Sequence, residues 1–370
     1  MSKAPRRTAA LAGLALTMPA LLAACGSDDS SAAAANCDST TKVSIMMGTS
    51  DMDISYSPYA ALAEQLGYFD AECLDVTVTT SGGQTTTAQA VVGGAADIAM
   101  QTPDTLITAA EKQALPIKIF HNLVPRVSYE IAVKKGSKIT SDADLAGKTV
   151  GFPMLSDGMS GYLDTRLTDA GADPKSVKEV ATGFGATYAE SLKSGEIDAF
   201  VGWPGMWAAG TSAGYEFDVL PAPAWQNDFY GIGLGATDEY IEKNPEVIEG
   251  VSRAVAKSLV FLQENPEAAI DLFWEAYPER APLGGDADKA RKDTMTLLQA
   301  TIDTMRLADF DAEHTWGVQT AEAWEAQVAY NKQIGLVSKD LDVAQFFTNE
   351  FNEAANDFDR AAVVEEADEA

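Results

Sequence analysis

The chain is predicted to be an α/β protein of two similar lobes around a hinge, with a ligand cleft between them. Three observations predict this. First, residues 191–207, SLKSGEIDAFVGWPGMW, are echoed by residues 90–106, AVVGGAADIAMQTPDTL. Both reach a Gly three residues before an Asp (Gly94/Asp97 and Gly195/Asp198), turn apolar, and place a proline six residues after that Asp, at Pro103 and Pro204. A Gly-ended helix, a short buried strand and a Pro-started helix make one αβα step. Second, the strand and helix pattern that fills the first part of the chain restarts at Tyr129. Third, about 330 residues follow the low-complexity front of the chain, enough for two domains with cores of their own. In open parallel sheets ligands gather at the carboxyl ends of strands, and two such ends facing each other make a cleft.

Taken in order, residues 43–47 read as a buried strand and 48–57 as a polar loop. Pro58 is expected to start a helix with apolar residues at helical spacing. Strands follow at 74–79, 98–100 and 116–122, alternating with helices at 85–92 and 104–112, a parallel sheet with helices on its faces. The second set has strands at 129–133, 149–152, 177–181, 199–201 and 217–220. Its helices fall at 141–147, 160–170 and 188–193. Residues 231–234 look like a strand returning to the first lobe. Helices are then expected at 244–264, 266–277, around 289–303, 321–335 and 343–353, with a loose acidic tail at 361–370. Lobe one is thus residues 42–128 with 229–360, and lobe two is 129–228, inserted. Two crossings between them make the hinge.

The front of the chain says where it works. Residues 1–7 carry Lys3, Arg6 and Arg7 without an acid, residues 9–24 are almost wholly apolar, and Leu22-Ala23-Ala24-Cys25-Gly26 follows. A basic start, a short apolar run and small residues at the cleavage point form a secretory signal over 1–24. A Cys directly after Leu-Ala-Ala resembles the bacterial lipobox, which implies lipidation at Cys25. Residues 25–41 are then a lipidated Cys and a small, polar, flexible tether. The expectation is an extracytoplasmic protein anchored to the cell membrane by N-terminal lipid.

Charge narrows the partners. The full chain has 26 basic and 55 acidic residues; removing 1–24 leaves 23 minus 55, or −32. So acidic a surface repels phosphate backbones, so no nucleic acid is expected as a partner. Cys37 and Cys73 each precede a strand candidate. If those strands are parallel neighbours the two form a disulfide; otherwise they are two free thiols.

Several runs then carry a family resemblance: GYFDAECLDVTV (67–78), GGAADIA (93–99), DLAGKTVGFP (144–153), LKSGEIDAF (192–200) and NPEVIEGVSRAVAKSLVFLQENPEAAIDLF (244–273). In this order they resemble the extracellular solute-binding proteins of ABC importers, in the nitrate/sulfonate/taurine and thiamine-pyrimidine family, over about residues 43–277. The resemblance implies a periplasmic-binding-protein type II fold that closes on a small solute and hands it to the transmembrane subunits of an ABC permease. Cys73 stands where the family usually has Gly. The loop GTSDMDISYS (48–57) lacks the Trp-x-Pro pattern of the thiamine-pyrimidine branch.

The cleft should be built from strand-end loops. Lobe one offers Asp51, Met52, Asp53 and Tyr56, then Gln84 and Thr85 at a helix start, Gln101 and Thr102 before Pro103, and Arg126 near the first crossing. Lobe two offers Asp157, Met159, Ser160 and Trp203, with Trp225 and Tyr230 near the second crossing. Helix N-termini and Arg126 suit a sulfonate, carboxylate or nitrate. The aromatics suit a flat ring, and the carboxylates a ring with hydrogen-bond donors. No enzyme is expected. His121 and His314 fall in no metal or triad spacing. Asp51-x-Asp53-x-Ser55 opens like a calcium loop, but Leu62 stands where the bidentate Glu should be. Gly231-x-Gly233-x-Gly235 is not a dinucleotide fingerprint. No cofactor or metal is expected, and the protein is expected to be a monomer. An extracytoplasmic sensor using the same clamp to signal to a membrane partner is the alternative.

Overall fold

A computed structural model describes residues 37–370 except 38, 50, 51, 156, 184–186 and 283, and describes 157 and 158 by backbone alone. The signal segment, Cys25, most of the tether, Asp51 and the Asp157 side chain lie outside the described residues.

The first run of elements is β1 (Thr41–Met47), α1 (Ala61–Gln65), α2 (Tyr68–Ala71), β2 (Leu74–Thr80), α3 (Gln84–Val92), β3 (Ile98–Gln101), α4 (Pro103–Lys112) and β4 (Ile117–Val124). The second is β5 (Glu130–Lys134), β6 (Thr149–Phe152), α5 (Asp157–Asp169), β7 (Lys178–Ala181), α6 (Thr187–Ser194), β8 (Ala199–Gly202), α7 (Pro204–Ser212) and β9 (Phe217–Val219). The chain ends with β10 (Ile232–Thr237), α8 (Asp238–Lys243), α9 (Pro245–Glu264), α10 (Pro266–Ala276), α11 (Ala287–Met305), α12 (Ala321–Gln333), α13 (Asn352–Ala355) and α14 (Arg360–Glu369).

Two five-stranded sheets result, ordered β2-β1-β3-β10-β4 and β7-β6-β8-β5-β9. Neither is wholly parallel, as the alternation of strand and helix suggested for the first. β10 lies antiparallel between β3 and β4, and β5 lies antiparallel between β8 and β9. Hydrophobic pattern gives a strand's faces but not its direction, so this insertion left no mark on the residues. The glycines at the start of β10 and just before it have a packing reason: a Cβ on Gly233 would stand 2.4 Å from Ile119 Cγ2, and one on Gly231 2.3 Å from the Arg126 carbonyl oxygen.

The strands sort their side chains by twos. In lobe two, Ile131, Val133, Ala199 and Val201 face one core with Leu163 and Leu167 of α5, while Ala132 and Phe200 face another with Tyr188, Met206 and Trp207. In lobe one, Ile45, Ile98 and Met100 pack with α9, whereas Ala99, Ile117 and Ile119 pack with α3, α4 and Trp324 of α12.

Three other expectations need correction. The helix expected from Pro58 is a 3₁₀ turn over Ile54–Tyr59 capped by the Asp53 side chain, then α1 and α2, divided at Gly67 with φ +69°. Residues 343–353 form a 3₁₀ turn, Val343–Gln345, and only the start of α13. The acidic tail is not loose. Asp359 caps α14, and Val363 and Ala367, one turn apart, are buried in the core that holds α9. Asn265 Nδ2 donates to the Ala367 carbonyl at 2.8 Å, and Tyr68 donates to Glu366 at 2.8 Å.

Candidate functional site: the cleft between the lobes

The echoed segments build the same step twice. Gly94 (φ +71°) and Gly195 (φ +80°) follow α3 and α6 in the left-handed region that glycine reaches without a Cβ clash. Asp97 and Asp198 then turn back onto the neighbouring strand, and Pro103 and Pro204 occupy the first turns of α4 and α7. β1, β2 and β3 run parallel in one sheet, as β6, β7 and β8 do in the other, so each sheet gathers its strand-end loops at one edge. Across the gap, a Cβ built on Gly83 would lie 3.9 Å from Met154 Cε, so lobe two rests its side chain on the start of α3.

On the lobe-one wall Gln84 and Gln101 meet. Gln101, fully buried, ends β3 and points to the first turn of α3, where its Nε2 donates to Thr87 Oγ1 at 2.7 Å. Thr87 Oγ1 in turn donates to the Gln84 carbonyl at 2.7 Å. The Gln84 side chain lies across Gly48, where a Cβ would come within 2.4 Å of Gln84 Nε2. The side-chain oxygens of Gln84 and Gln101 are both buried without a hydrogen-bond partner. Gly83 caps α3 without a side chain, so the first-turn N–H groups of that helix keep their donor character.

Other predicted residues are engaged elsewhere. Met52 is core. Asp53 accepts from Ser55 N at 2.8 Å, and Tyr56 packs beside Tyr59 and bonds to Thr49. Burial pushes the Tyr56 hydroxyl up to about 12. Thr85 is exposed on the first turn of α3, and Thr102 pairs with Thr105 at 2.9 Å. Met159 is core of lobe two, and Ser160 donates to Glu179 at 2.8 Å. Trp203 is half-buried at the start of α7, against both lobe-two cores.

Three residues are not brought to this wall. Arg126 donates to the Asp303 carbonyl at 3.2 Å, in a separate cavity of about 460 Å³ shared with Asn227, Arg306 and Asp309. Trp225 donates to Asp169 at 2.8 Å, and its ring is packed by Tyr162, Phe229 and Tyr330. The Tyr230 hydroxyl accepts from Thr320 N at 2.7 Å, beside Trp324. Cys37 and Cys73 form a disulfide.

Sequence reasoning placed helices α11 and α12 but missed that they bridge the lobes. α11 packs along α7 and against the 54–59 turn, so it touches both lobes. α12 sets Trp324 and Val328 in a lobe-one core and Tyr330 against lobe two, where its hydroxyl donates to the Gly161 carbonyl at 3.3 Å. Beneath α12, Asp104 accepts from Gln327 at 3.2 Å and Asn331 at 3.1 Å. Burial raises its pKa, against the lowering effect of those two bonds. Among the described residues no group of three or more His, Cys, Asp or Glu is placed to hold a metal, and no helix is long and apolar enough to cross a membrane.

A family model described as NMT1/THI5 like matches residues 55–269, more than half of the chain and most of both lobes. The chain belongs to that family. The NMT1/THI5 like match spans the α3 start, Gln101 and the α7 start alike. A curated relative, the riboflavin-binding protein RibY of Chloroflexus aurantiacus, is 27% identical over 305 residues, 81% of this chain and 83% of that one. The formylaminopyrimidine-binding protein of Halalkalibacterium halodurans is 25% identical over 281 residues, 73% and 78% of the two chains. A relative from Legionella pneumophila, named 4-amino-5-hydroxymethyl-2-methylpyrimidine phosphate synthase, is 22% identical over 304 residues, 78% and 86%. Among solved structures, the periplasmic aliphatic sulphonate binding protein SsuA of Escherichia coli superposes with a TM-score of 0.63 at 19% identity, covering 84% of this chain and 92% of that one. The periplasmic nitrate-binding protein NrtA of Synechocystis gives 0.61 at 13% identity, covering 88% and 91%. These likenesses show the fold: this member of the NMT1/THI5 like family has the two lobes and the cleft of a periplasmic binding protein.

Proposed function

We propose that this chain is the solute-capturing component of an ABC-type importer, lipid-anchored at Cys25 outside the cytoplasmic membrane. In this role it works as a monomer that clamps a small solute between its lobes and delivers it to the transmembrane permease subunits. The observation that carries the reading is the two-sided wall: each lobe holds a copy of one αβα step, and Met154 of lobe two lies over Gly83 at the α3 start of lobe one. Such a clamp gives affinity by excluding water and contacting the solute from both sides. Binding relatives named for riboflavin and formylaminopyrimidine support a solute. The solute is of the aromatic or heterocyclic kind, or a sulfonate or carboxylate.

The cycle ends in release rather than chemistry. His121 is buried on β4 against Gly317, and His314 is stacked on Phe310, so both histidines sit away from the cleft wall. One Legionella relative carries the name of a synthase, so turnover is part of the test. The full chain is incubated with flat heterocycles, alkyl and aryl sulfonates, nitrate and aromatic carboxylates. Melting temperature is followed together with the chemical identity of the recovered compound. A solute that raises the melting temperature and returns unchanged supports the reading. Conversion of the compound, or no shift with any member, overturns it.

A further inference from the structure

We infer that the lobe-one wall reads the amide edge of a flat heterocycle, one that presents a ring N–H beside a ring C=O, and that it rejects anions; this rests on the solute-capturing role proposed above. Two independent features of the wall meet at one place. The first turn of α3 presents backbone N–H donors with no side-chain cap. Beside it stand two buried acceptors without partners, Gln84 Oε1 and Gln101 Oε1.

Gln101 cannot readily reverse its amide. Its Nε2 is held by Thr87 Oγ1, and that hydroxyl already donates to the Gln84 carbonyl, so only its lone pair remains for Gln101. The amide oxygen is therefore the group offered. Gln84 is held by steric means, since its side chain occupies the space a Cβ at Gly48 would need.

A buried acceptor left unmatched costs the desolvation of that group, so a ligand that supplies an N–H is favoured over one that does not. A sulfonate, carboxylate or nitrate would satisfy the helix N–H groups. It would also set its own oxygens against those of Gln84 and Gln101, with no proton between them. The cation that could offset this, Arg126, is turned to the Asp303 carbonyl. A ring amide or imide answers both features: its C=O accepts from the α3 turn, and its N–H donates to a glutamine oxygen. Sites built to bond a polar group discriminate strongly against analogues that lack it.

The test uses the full-length chain and three probe sets followed by calorimetry and thermal shift. Riboflavin and 1-methyluracil carry N3–H as their one ring N–H beside a ring carbonyl; their N3-methyl derivatives have that proton blocked; benzenesulfonate, an alkanesulfonate and nitrate are the anions. At least one imide ring is expected to bind, with a loss of about 10- to 100-fold on N3-methylation. Gln101→Leu is expected to cost the same ring a similar factor. Gly48→Ala, by displacing the Gln84 amide, is expected to weaken it too. Methylated and free rings that bind equally overturn the inference. So does binding of anions in place of rings, an outcome that leaves the solute-capturing role intact. Silence from rings and anions alike overturns both. The methylation comparison needs no variant, so a misfolded substitution does not blunt the test.

Discussion

Asp97 and Asp198 hold the same place in the two lobes, each closing a carboxylate onto the neighbouring strand. Asp97 Oδ2 accepts from Ser44 N at 2.8 Å and Ser44 Oγ at 2.7 Å, and the Asp97 N–H donates back to Ser44 Oγ at 3.0 Å. Asp198 Oδ2 accepts from Thr149 N at 2.9 Å. Hydrogen bonds to a charged group contribute about 1.5–3 kcal/mol each when partly buried. Asp97→Ala, which loses two such bonds, is therefore expected to cost about 3–6 kcal/mol in denaturant unfolding, and Asp198→Ala, which loses one, about 1.5–3. The two sites share no partner, so the double variant should lose their sum. A double variant no weaker than Asp97→Ala alone would show that the lobes do not unfold together.

The disulfide fixes the two strands that start lobe one. Cys37 and Cys73 are 36 residues apart, a loop whose closure stabilises by about 3–4 kcal/mol in the chain-entropy view. Cys73 also has φ +58°, a left-handed conformation that a Cβ disfavours. Both Cys73→Ala and Cys73→Gly should lose the cross-link, but the glycine variant should be the more stable by about 1 kcal/mol. Urea titrations of the two variants with and without reductant check the order.

Much of this fold was legible because its signals are local. Gly94, Gly195, Asp97 and Asp198 declare their turns by type and spacing, and Pro103 and Pro204 mark the first turns of their helices. β10 was legible as a strand but not in its direction, since its partners on β3 and β4 lie more than a hundred residues away. The site divides the same way. Gln84 and Gln101 follow from their positions at a helix start and a strand end. The partners of Arg126 and Tyr230 were not legible, because what holds them, Asp303 on α11 and Thr320 before α12, comes from distant sequence. The tail misled by composition: Glu365, Asp368 and Glu369 are exposed, while the two apolar residues that dock it, Val363 and Ala367, are four apart.

Removing α14 tests that docking. A chain ending at residue 358 would uncover the face of α9 that Val363 and Ala367 cover, and would leave Tyr68 and Asn265 without their partners. A loss of about 2–4 kcal/mol is expected from one buried valine and the hydrogen bonds. Thermal unfolding of the two lengths side by side gives the answer; equal melting temperatures would make the helix an ornament of the surface.

His121 gives the fold a pH dependence of known sign. It is fully buried, and burial alone lowers its pKa from 6.5 to about 4. The unfolded chain therefore binds a proton that the folded chain refuses. The contribution is present above pH 6.5 and is lost as pH falls through about 4, reaching roughly 3 kcal/mol at most. His121→Leu has nothing to protonate and should lose less stability than the parent between pH 7 and pH 4.5. Carboxylates elsewhere titrate in both proteins and cancel in the comparison. Parallel stability curves for the two would assign the acid sensitivity to other groups.

Gly161 is where the segment after α12 meets lobe two. A Cβ there would lie 2.6 Å from Ile334 Cδ1 and 2.9 Å from Leu336 Cδ1, while the Gly161 carbonyl accepts from Tyr330. Helix α12 is anchored in lobe one through Trp324 and Val328, so a side chain at 161 acts as a wedge between the lobes. Overpacking of this kind costs about 1–3 kcal/mol. Here it would be relieved by parting the lobes rather than by unfolding either one. Gly161→Val should increase the radius of gyration in solution scattering. It should also weaken solute binding about tenfold, as the fraction of molecules able to clamp falls. Gly151→Ala makes the contrasting case: its Cβ would press on Ile197 and Phe200, within lobe two. It should lower stability while leaving the dimensions of the molecule unchanged. If both variants behaved alike, the contact at Gly161 would be ordinary packing and the strut between the lobes would have to lie along α11 and α7.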